Sequence, residues 1–312
     1  MVTYYSLRRN PRAFKRITGL SVEEFDRLYA DFEPAWIAAE QARLQRPERK
    51  RAMGGGNNYK LDVETQLLMV MVWLRLYLTT ATLGYFFGIS QSAASRNTRR
   101  LLTILEAVSR QEFEWPEPPR KGQGRTADEL AEEYPDLFAI LDATEQPLEK
   151  PTDKERERLA YSGKRRRSTV KTSLIVNEDG VIRGLTASAL GRTHDLTQMR
   201  QSGLLGQMPP QVIVVADAGY TGLDKDLPNH SVAVAHRAQR NHPLEQDHID
   251  ANRELSSVRI IVENVFSHLK NFQSLADRFR HDVEQVHCAV FAVIAMLVNR
   301  RTQRRLALAD RA

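Results

Sequence analysis

The sequence predicts an all-α N-terminal region followed by an α/β domain, in which a mixed sheet is flanked by helices. The chain is predicted to be helical as far as about residue 112, and no strand-like alternation occurs before residue 135. After it, short apolar and β-branched runs alternate with helical segments. Between the two lies Glu112–Asp136, whose first half, rich in proline, glycine and charge, is typical of a linker.

Composition narrows the class of protein. The 312 residues, 42% hydrophobic and 27% charged, suffice for two domains with buried cores and exclude a disordered tail protein. A single cysteine, Cys288, excludes an internal disulfide framework and a cysteine-rich zinc site. The N-terminus does not resemble a signal peptide, and the longest apolar run, Cys288–Val298, is too short to cross a bilayer. We therefore expect a cytoplasmic protein without a membrane segment.

Positive charge is concentrated locally. Lysine and arginine number 45 against 39 acidic residues, a net charge of +6. The basic clusters are Arg46–Arg51, Lys164–Arg167, Arg237–Arg240 and Arg300–Arg305. Together they favour a polyanionic partner, although each cluster alone is equally consistent with solvated surface.

The N-terminal region carries helix signals and a helix-turn-helix pattern. Leu20–Phe25 contains a capping box, and Leu61–Leu78 has the apolar spacing of a buried helix face. In Thr80–Leu105 a short helix ends at Gly88, which suits a left-handed turn, and Ser90 can N-cap a second helix. The exposed face of that second helix carries Gln91, Ser92, Ser95, Arg96 and Arg99. Such residues suit a major groove, and an ordinary helical hairpin is the alternative.

The second region has the element order of a mixed sheet covered by helices. The predicted strands are Leu137–Ala143, Thr172–Val176, Val181–Ala187 and Val212–Ala216, with a hairpin turn at Asn177–Gly180. The predicted helices are Thr193–Gln201, Ala251–Phe272 and Val283–Asn299.

Three acids are expected at one edge of this sheet. Asp142 ends the first predicted strand and Asp217 ends the fourth, and carboxylates in such positions emerge where open α/β sheets form their sites. On the long helix, Glu263 lies at the rim of the buried face, close in angle to Arg259 and Lys270.

An all-oxygen cluster of this kind suits Mg²⁺ or Mn²⁺ better than zinc. Two such ions roughly 4 Å apart serve phosphodiester displacement. For each acid alone there is a structural alternative: Asp142 or Asp217 as a cap or turn residue, and Glu263 as a partner of Arg259.

Five motifs in order carry a family resemblance. LDATEQPL, YSGKRRRSTVK, GRTHD, VVADAGYTG and RIIVENVFSHLKNF resemble the DDE transposases of bacterial insertion sequences, the insertion-sequence-five-like group related to Harbinger elements. The resemblance extends from the helix-turn-helix to about Asn299. It implies an RNase H-like fold, Asp142, Asp217 and Glu263 as catalytic metal ligands, and Mg²⁺ or Mn²⁺, two ions per site.

The resemblance also assigns auxiliary residues. Arg259 and Lys270 match the arginine and lysine of the R-x3-E-x6-K signature, although Ser256 stands where a tyrosine often begins it. We expect DNA contacts from Lys164, Arg165, Arg166, Lys171, Arg259 and Lys270. His194 and Asp195 match a stretch that orients metal or substrate, while Asp195 as a helix N-cap is the alternative.

The activity that the resemblance implies is DNA transposition in the bacterial cytoplasm, at the nucleoid. The protein would bind double-stranded terminal inverted repeats, free a 3′-hydroxyl by metal-dependent hydrolysis and join it to target DNA, as a homodimer or higher oligomer. The alternatives are an inactive DNA-binding regulator of transposase ancestry, a nuclease without strand transfer, and a scaffold. The expected domains are 1–60 (helical or arm region), 61–112 (helix-turn-helix), 113–136 (linker), 137–300 (catalytic) and 301–312 (basic tail).

Overall fold

The computed structural model describes residues 1–45, 60–115, 138–209, 212–237 and 244–309. The chain divides into two compact units. The helical unit consists of Met1–Arg110, Lys270–Asp277 and Ala289–Ile294, and the α/β unit of Gln111–Leu269, Arg278–Cys288 and Ala295–Ala312. Some predicted features lie outside the described residues, namely the cluster Arg46–Arg51, most of Arg237–Arg240 and most of the linker 113–136. The domain boundaries stay predictions.

The described part of residues 1–110 folds into six helices. They are α1 (Tyr4–Leu7), α2 (Pro11–Thr18), α3 (Val22–Leu44), α4 (Val63–Leu76), α5 (Thr80–Phe87) and α6 (Gln91–Ser109). The predicted capping box is confirmed, because Ser21 Oγ accepts from the Glu24 amide and the Glu24 carboxylate accepts from the Ser21 amide. Helix α4 is buried all round from Thr65 to Leu74 rather than on one face, since the other five helices pack against it.

Within the described residues, the α/β unit is built on a seven-stranded mixed sheet. In chain order it contains β1 (Phe138–Pro147), α7 (Lys154–Ala160), β2 (Tyr161–Ser162), β3 (Arg167–Val176), β4 (Ile182–Leu185), β5 (Ala189–Leu190), α8 (Asp195–Ser202), β6 (Ile213–Ala216) and β7 (Val232–Val234). The sheet order is β2-β3-β1-β6-β7, with β4 and β5 paired to β3. The central β1 is antiparallel to β3 and parallel to β6, as in an RNase H-like domain.

The first strand is longer than predicted. β1 continues to Pro147, so Asp142 lies inside the strand and the prediction that it ends the strand is wrong. The reason is that β3 pairs with β1 from Ile140 through Pro147, whereas the parallel neighbour β6 stops opposite Leu141. Asp142 is therefore the first residue of β1 beyond its parallel partner.

Other strand predictions hold with changed bounds. The hairpin turn is confirmed, with Gly180 at φ 80° and the Asn177 amide donating to the Val181 carbonyl. β4 is shorter than the predicted Val181–Ala187, because the chain leaves β3 and pairs with it again as β5. The edge strand β7 and the short β2 and β5 were not predicted.

Different helices cover the two faces of the sheet. On one face α8 packs Leu196 and Met199 into a buried cluster with Leu141 and Ala216. Helix α9 (Gln246–Lys270) buries Val262, Val265, Phe266 and Leu269. Since Asp142 follows Leu141 in the strand and contacts α9, we infer that α9 lies on the face opposite α8.

The C-terminal part contains α10 (Gln273–Ala276), a π-helical turn (Val283–His287) and α11 (Cys288–Ala309). By length and hydropathy alone, Val283–Ala309 is suitable for crossing a membrane, but 78% of its apolar window is buried within the protein. This burial is that of a core helix, as predicted for Cys288–Val298. The predicted basic tail 301–312 is helical as far as Ala309.

Candidate active site

The pairing of β1 with β6 brings two aspartates together. Leu141 lies opposite Ala216 in the parallel register, so Asp142, the next residue of β1, lies beside Asp217, the first residue after β6. Arg259 of α9 contacts both, with Nη2 3.0 Å from Asp142 Oδ2 and 4.0 Å from Asp217 Oδ2. The structure thus brings together the predicted acids Asp142 and Asp217 and the predicted flanking cation Arg259.

Asp142 is the more buried of the two aspartates. Only 9% of the residue is exposed. Its Oδ1 accepts from the amide of Ala143 (2.8 Å) and its Oδ2 accepts from Arg259. Burial raises the pKa of Asp142 above its usual value, although the hydrogen bond and charge of Arg259 act to lower it. Keeping this carboxylate ionised therefore depends on a cation beside it.

Asp217 is oriented by the turn that follows β6. Its Oδ1 accepts from the Gly219 amide (2.7 Å), which leaves Oδ2 on the side of Arg259. A Cβ at Gly219 would lie 2.8 Å from both Asp217 Oδ1 and Asp195 Oδ2. A side chain at this position would push on both carboxylates, and the close approach shows that Asp195 lies beside Asp217.

Glu263 lies on the same helix as Arg259, one turn further on, and its side chain is exposed. Burial acts to lower the pKa of Arg259, but the hydrogen bond to Asp142 and the charges of Asp142, Asp217 and Glu263 outweigh it and raise that pKa. Glu263 is therefore close enough to act on the guanidinium. Lys270 ends the helix and belongs to the helical unit.

The two aspartates offer oxygen ligands of the kind that hard divalent cations prefer. Among the described residues, no group of three His, Cys, Asp or Glu side chains is close enough to hold a metal ion as placed. A cation nevertheless already lies beside Asp142 Oδ2 and Asp217 Oδ2, namely the guanidinium of Arg259. The donor chemistry fits Mg²⁺ or Mn²⁺, and the assignment of the three acids as its ligands stays a prediction.

A cavity of about 260 Å³ opens at these aspartates. Its lining includes Asp142, Asp217, Asp195, Glu145, Lys164 and Arg165. Lys164, Arg165 and Arg166 form the exposed tip between β2 and β3, where Arg166 has a left-handed φ of 53°. Two of the predicted DNA-contacting cations of this tip therefore line the cavity that contains the acids.

Lys171 is buried in the wall of this cavity. Its Nζ lies 2.7 Å from Asp195 Oδ1 and 3.9 Å from Glu145 Oε1, and it donates to the Thr193 carbonyl (2.9 Å). The prediction that Lys171 contacts DNA stays untested, and the contacts seen are within the protein. Glu145 was not predicted, because its meeting with Lys171 depends on the β1–β3 register.

The two residues of the GRTHD motif have different positions. His194 is the N-cap of α8 without a side-chain cap bond, and Asp195 is the first helical residue. The alternative that Asp195 N-caps the helix is therefore wrong, since its carboxylate pairs with Lys171. His194 is exposed and lines both this cavity and a second one of about 830 Å³ beside it.

The helix-turn-helix has the predicted geometry. Gly88 ends α5 at φ 64°, and Ser90 Oγ accepts from the Ala93 amide at the start of α6. Of the residues predicted to contact DNA, Gln91, Ser92, Arg96 and Arg99 are exposed and Ser95 is half-buried. Arg100 is different, because it donates to Glu40 Oε2 and Gln66 Oε1, both at 2.9 Å, within the helical unit.

Comparison with known proteins agrees with both units. A family described as DDE superfamily endonuclease matches residues 141–299, and a helix-turn-helix of the same superfamily matches residues 59–111. A protein of Microchaete diplosiphon, named as transposase for insertion sequence element IS702, is 28% identical over 86% of this chain and 87% of its own length.

A second relative, from Streptomyces albus G, is named as transposase for insertion sequence element IS112. It is 25% identical over 85% of this chain and 94% of its own length. No solved structure matches. Because the first family covers just over half of the chain, and its match includes Asp142, Asp217 and Glu263, the chain belongs to the DDE superfamily endonucleases that carry a helix-turn-helix.

Proposed function

We propose that this protein binds the terminal inverted repeats of a bacterial insertion sequence, cleaves the DNA ends by metal-dependent hydrolysis and joins the 3′-hydroxyls to target DNA. The observation that carries the proposal is the meeting of Asp142 and Asp217 at the end of the β1–β6 pairing, in a cavity that Lys164 and Arg165 also line. The two relatives named as transposases support it.

Different chemical roles are proposed for residues that line the cavity and for two that do not line it, Glu263 and Gly219. Asp142, Asp217 and Glu263 would hold Mg²⁺ or Mn²⁺, which when bound supplies activation of the attacking oxygen and stabilisation of the leaving oxygen. The Gly219 amide fixes the orientation of Asp217. Lys164 and Arg165 neutralise phosphate charge and position the strand, since cations beside a phosphodiester offset its repulsion from the acids. The strand transfer uses the same atoms, with the 3′-hydroxyl in place of water.

Helix α6 is proposed to supply end recognition. Gln91 and Ser92 at its exposed N-terminus suit base edges, and Arg96 and Arg99 suit phosphates or guanine. Transposition needs two DNA ends to be held together, so at least two protomers are proposed to act on them.

A second candidate is an inactive regulator that binds the same repeats. It is favoured by one observation, namely that among the described residues the acids do not form a three-ligand group and Arg259 lies against Asp142 and Asp217. A protein of this kind would keep α6 and lose the reaction.

The experiment incubates purified protein with a labelled duplex carrying the element's end in Mg²⁺, Mn²⁺ or chelator. Wild type, Asp142→Asn, Asp217→Asn and Glu263→Gln are compared, with Glu254→Gln as the matched control because Glu254 is exposed on the same helix. We expect metal-dependent cuts at the repeat boundary in wild type and control only.

Each other outcome selects an alternative. Repeat-specific binding without cleavage in any protein favours the regulator. Cleavage that ignores the repeat favours a plain nuclease, and absence of salt-dependent DNA affinity favours a scaffold. Full cleavage by the three acid variants would contradict the assignment of the site.

A further inference from the structure

We propose that Arg259 is the resident counter-ion of Asp142 and Asp217, and that a divalent metal ion and this arginine compete for the same carboxylate oxygens. DNA then favours metal loading by giving the arginine a phosphate to bind. The inference rests on the proposed function, in that it takes the metal site to lie at these two aspartates.

The distances support competition. Arg259 Nη2 lies 3.0 Å from Asp142 Oδ2 and 4.0 Å from Asp217 Oδ2. A magnesium ion binds carboxylate oxygens at about 2.1 Å. An ion bound to Asp142 Oδ2 would therefore be at most about 5 Å from Nη2, by adding the two distances. Two cations this close in a partly buried site repel each other strongly.

The charges explain why a cation lies beside the two aspartates. Asp142 is buried and Asp217 is half-buried, and two carboxylates on neighbouring strands repel each other unless a positive charge lies beside them. Arg259 is the basic residue that meets both of them in the part of the chain that the structure describes. Arg259 thereby offsets the repulsion between the two neighbouring carboxylates.

The arginine is incompletely satisfied in this position. Its Nε is buried and has no hydrogen-bond partner among the described residues, and its side chain is 22% exposed. An arginine that binds a carboxylate or phosphate most favourably donates two parallel N–H hydrogen bonds to it from its planar guanidinium. We therefore infer that charge holds Arg259 here, and that a phosphate, which can take two of its N–H groups, offers it a better partner.

Coupling between metal and DNA follows from this exchange. If metal binding releases Arg259 and DNA phosphate binds the released guanidinium, each ligand raises the affinity of the other by the same factor. The protein on its own would bind metal weakly and load it fully at a DNA end.

The experiment measures Mn²⁺ binding by calorimetry and by the Mn²⁺-induced rise in Tm, first without DNA. Wild type is compared with Arg259→Gln and Arg259→Lys. Arg253→Gln is the matched control, because Arg253 is an exposed arginine on the same helix. We expect Arg259→Gln to bind Mn²⁺ about tenfold more tightly, with a larger rise in Tm, because the competing charge is gone. Arg259→Lys keeps the charge without the planar fork and should fall between the two.

The second arm adds a duplex that ends at the repeat boundary and cannot be cut there again. DNA should raise the Mn²⁺ affinity of wild type and raise that of Arg259→Gln much less. Equal or weaker Mn²⁺ binding by Arg259→Gln without DNA would overturn the inference. If Arg259→Gln does not fold, the same criterion applies to Arg259→Lys.

Failure of the metal site itself is recognised separately. Asp142→Asn should abolish the Mn²⁺ binding that the other variants modulate. Unchanged binding in Asp142→Asn would refute the proposed metal site. Loss in Asp142→Asn, combined with no change in Arg259→Gln, would leave that site standing and refute the counter-ion.

Discussion

Two cation–carboxylate clusters lie on either side of β1, and they differ in how completely the cation is bonded. Lys171 is buried and contacts Asp195, Glu145 and the Thr193 carbonyl. Arg259 contacts Asp142 and approaches Asp217, but its Nε has no partner within the described residues. Lys171 is also the more buried cation, with 9% of its side chain exposed against 22% for Arg259. We therefore expect Lys171 to serve the scaffold and Arg259 to be available for exchange. We infer that the face of β1 beside Lys171 is structural and that the face beside Arg259 takes part in the reaction.

The largest expected effect is on the Lys171 cluster. Lys171→Met leaves Asp195 and Glu145 without their cation, and removing one partner of a buried pair costs about 3 kcal/mol of unfolding free energy. Denaturant unfolding measures the loss. Lys150→Met, which breaks an exposed pair with Glu157, is the control and should cost less than about 1 kcal/mol. Equal costs for the two variants would show that Lys171 is not structural.

A substitution in the turn after β6, which lies between the two clusters, should lower stability less than Lys171→Met and should mainly reduce activity. Gly219→Ala places a methyl group 2.8 Å from oxygens of both Asp195 and Asp217, so one of them must move. Since only the ends of two carboxylate side chains must shift, we expect less than about 1 kcal/mol of destabilisation, but at least about a tenfold loss of cleavage. Gly206→Ala is the control, because open space surrounds that position. Normal cleavage by Gly219→Ala would show that the spacing of the two aspartates is not critical.

A buried, uncharged histidine that contacts β1 predicts how the stability of the protein depends on pH. Gln146 of β1 lies 2.9 Å from His287 Nε2, and Ser188 Oγ lies 2.6 Å from Nδ1. Burial lowers the pKa of His287 from 6.5 to about 3. The folded state therefore resists protonation while the unfolded state accepts it, so stability is full above pH 6.5 and falls with pH until about 3.

Between pH 6.5 and 5.5 this histidine alone should cost about 1 kcal/mol of unfolding free energy. Unfolding in denaturant at both values, for wild type and His287→Gln, measures the difference. The variant should lose less stability than wild type over this interval. Identical pH dependence would mean that the histidine is not held neutral by the fold.

The sequence predicted the meeting of Asp142 and Asp217 because each directly follows a buried apolar run, and such runs lead to the same edge of an open α/β sheet. It did not predict the length of β1, since Thr144–Pro147 has no strand-like pattern and is ordered by pairing with β3. The Glu145–Lys171 pair was missed for the same reason, as long-range register is not visible in local spacing. The helix-turn-helix was predicted nearly to the residue because caps and turn glycine are local signals.

The smallest expected effect on stability is at the β2–β3 tip, where a cation is exposed. Arg166 makes no ion pair within the described residues and holds a left-handed φ of 53°, which favours glycine. In Arg166→Gly, relief of backbone strain offsets the greater freedom of the unfolded chain, so we expect a change under about 0.5 kcal/mol. DNA affinity should still fall, with the salt dependence reduced by about one phosphate contact.

Arg165→Gly is the matched variant, since it removes the same charge at a position without positive φ. It should lose similar DNA affinity and about 0.5–1 kcal/mol of stability. Measuring binding to the element's end at several salt concentrations, beside denaturant unfolding, separates the two effects. If Arg166→Gly binds DNA as wild type does, the tip is solvated surface, and the cations of the catalytic domain that meet DNA lie closer to the aspartates.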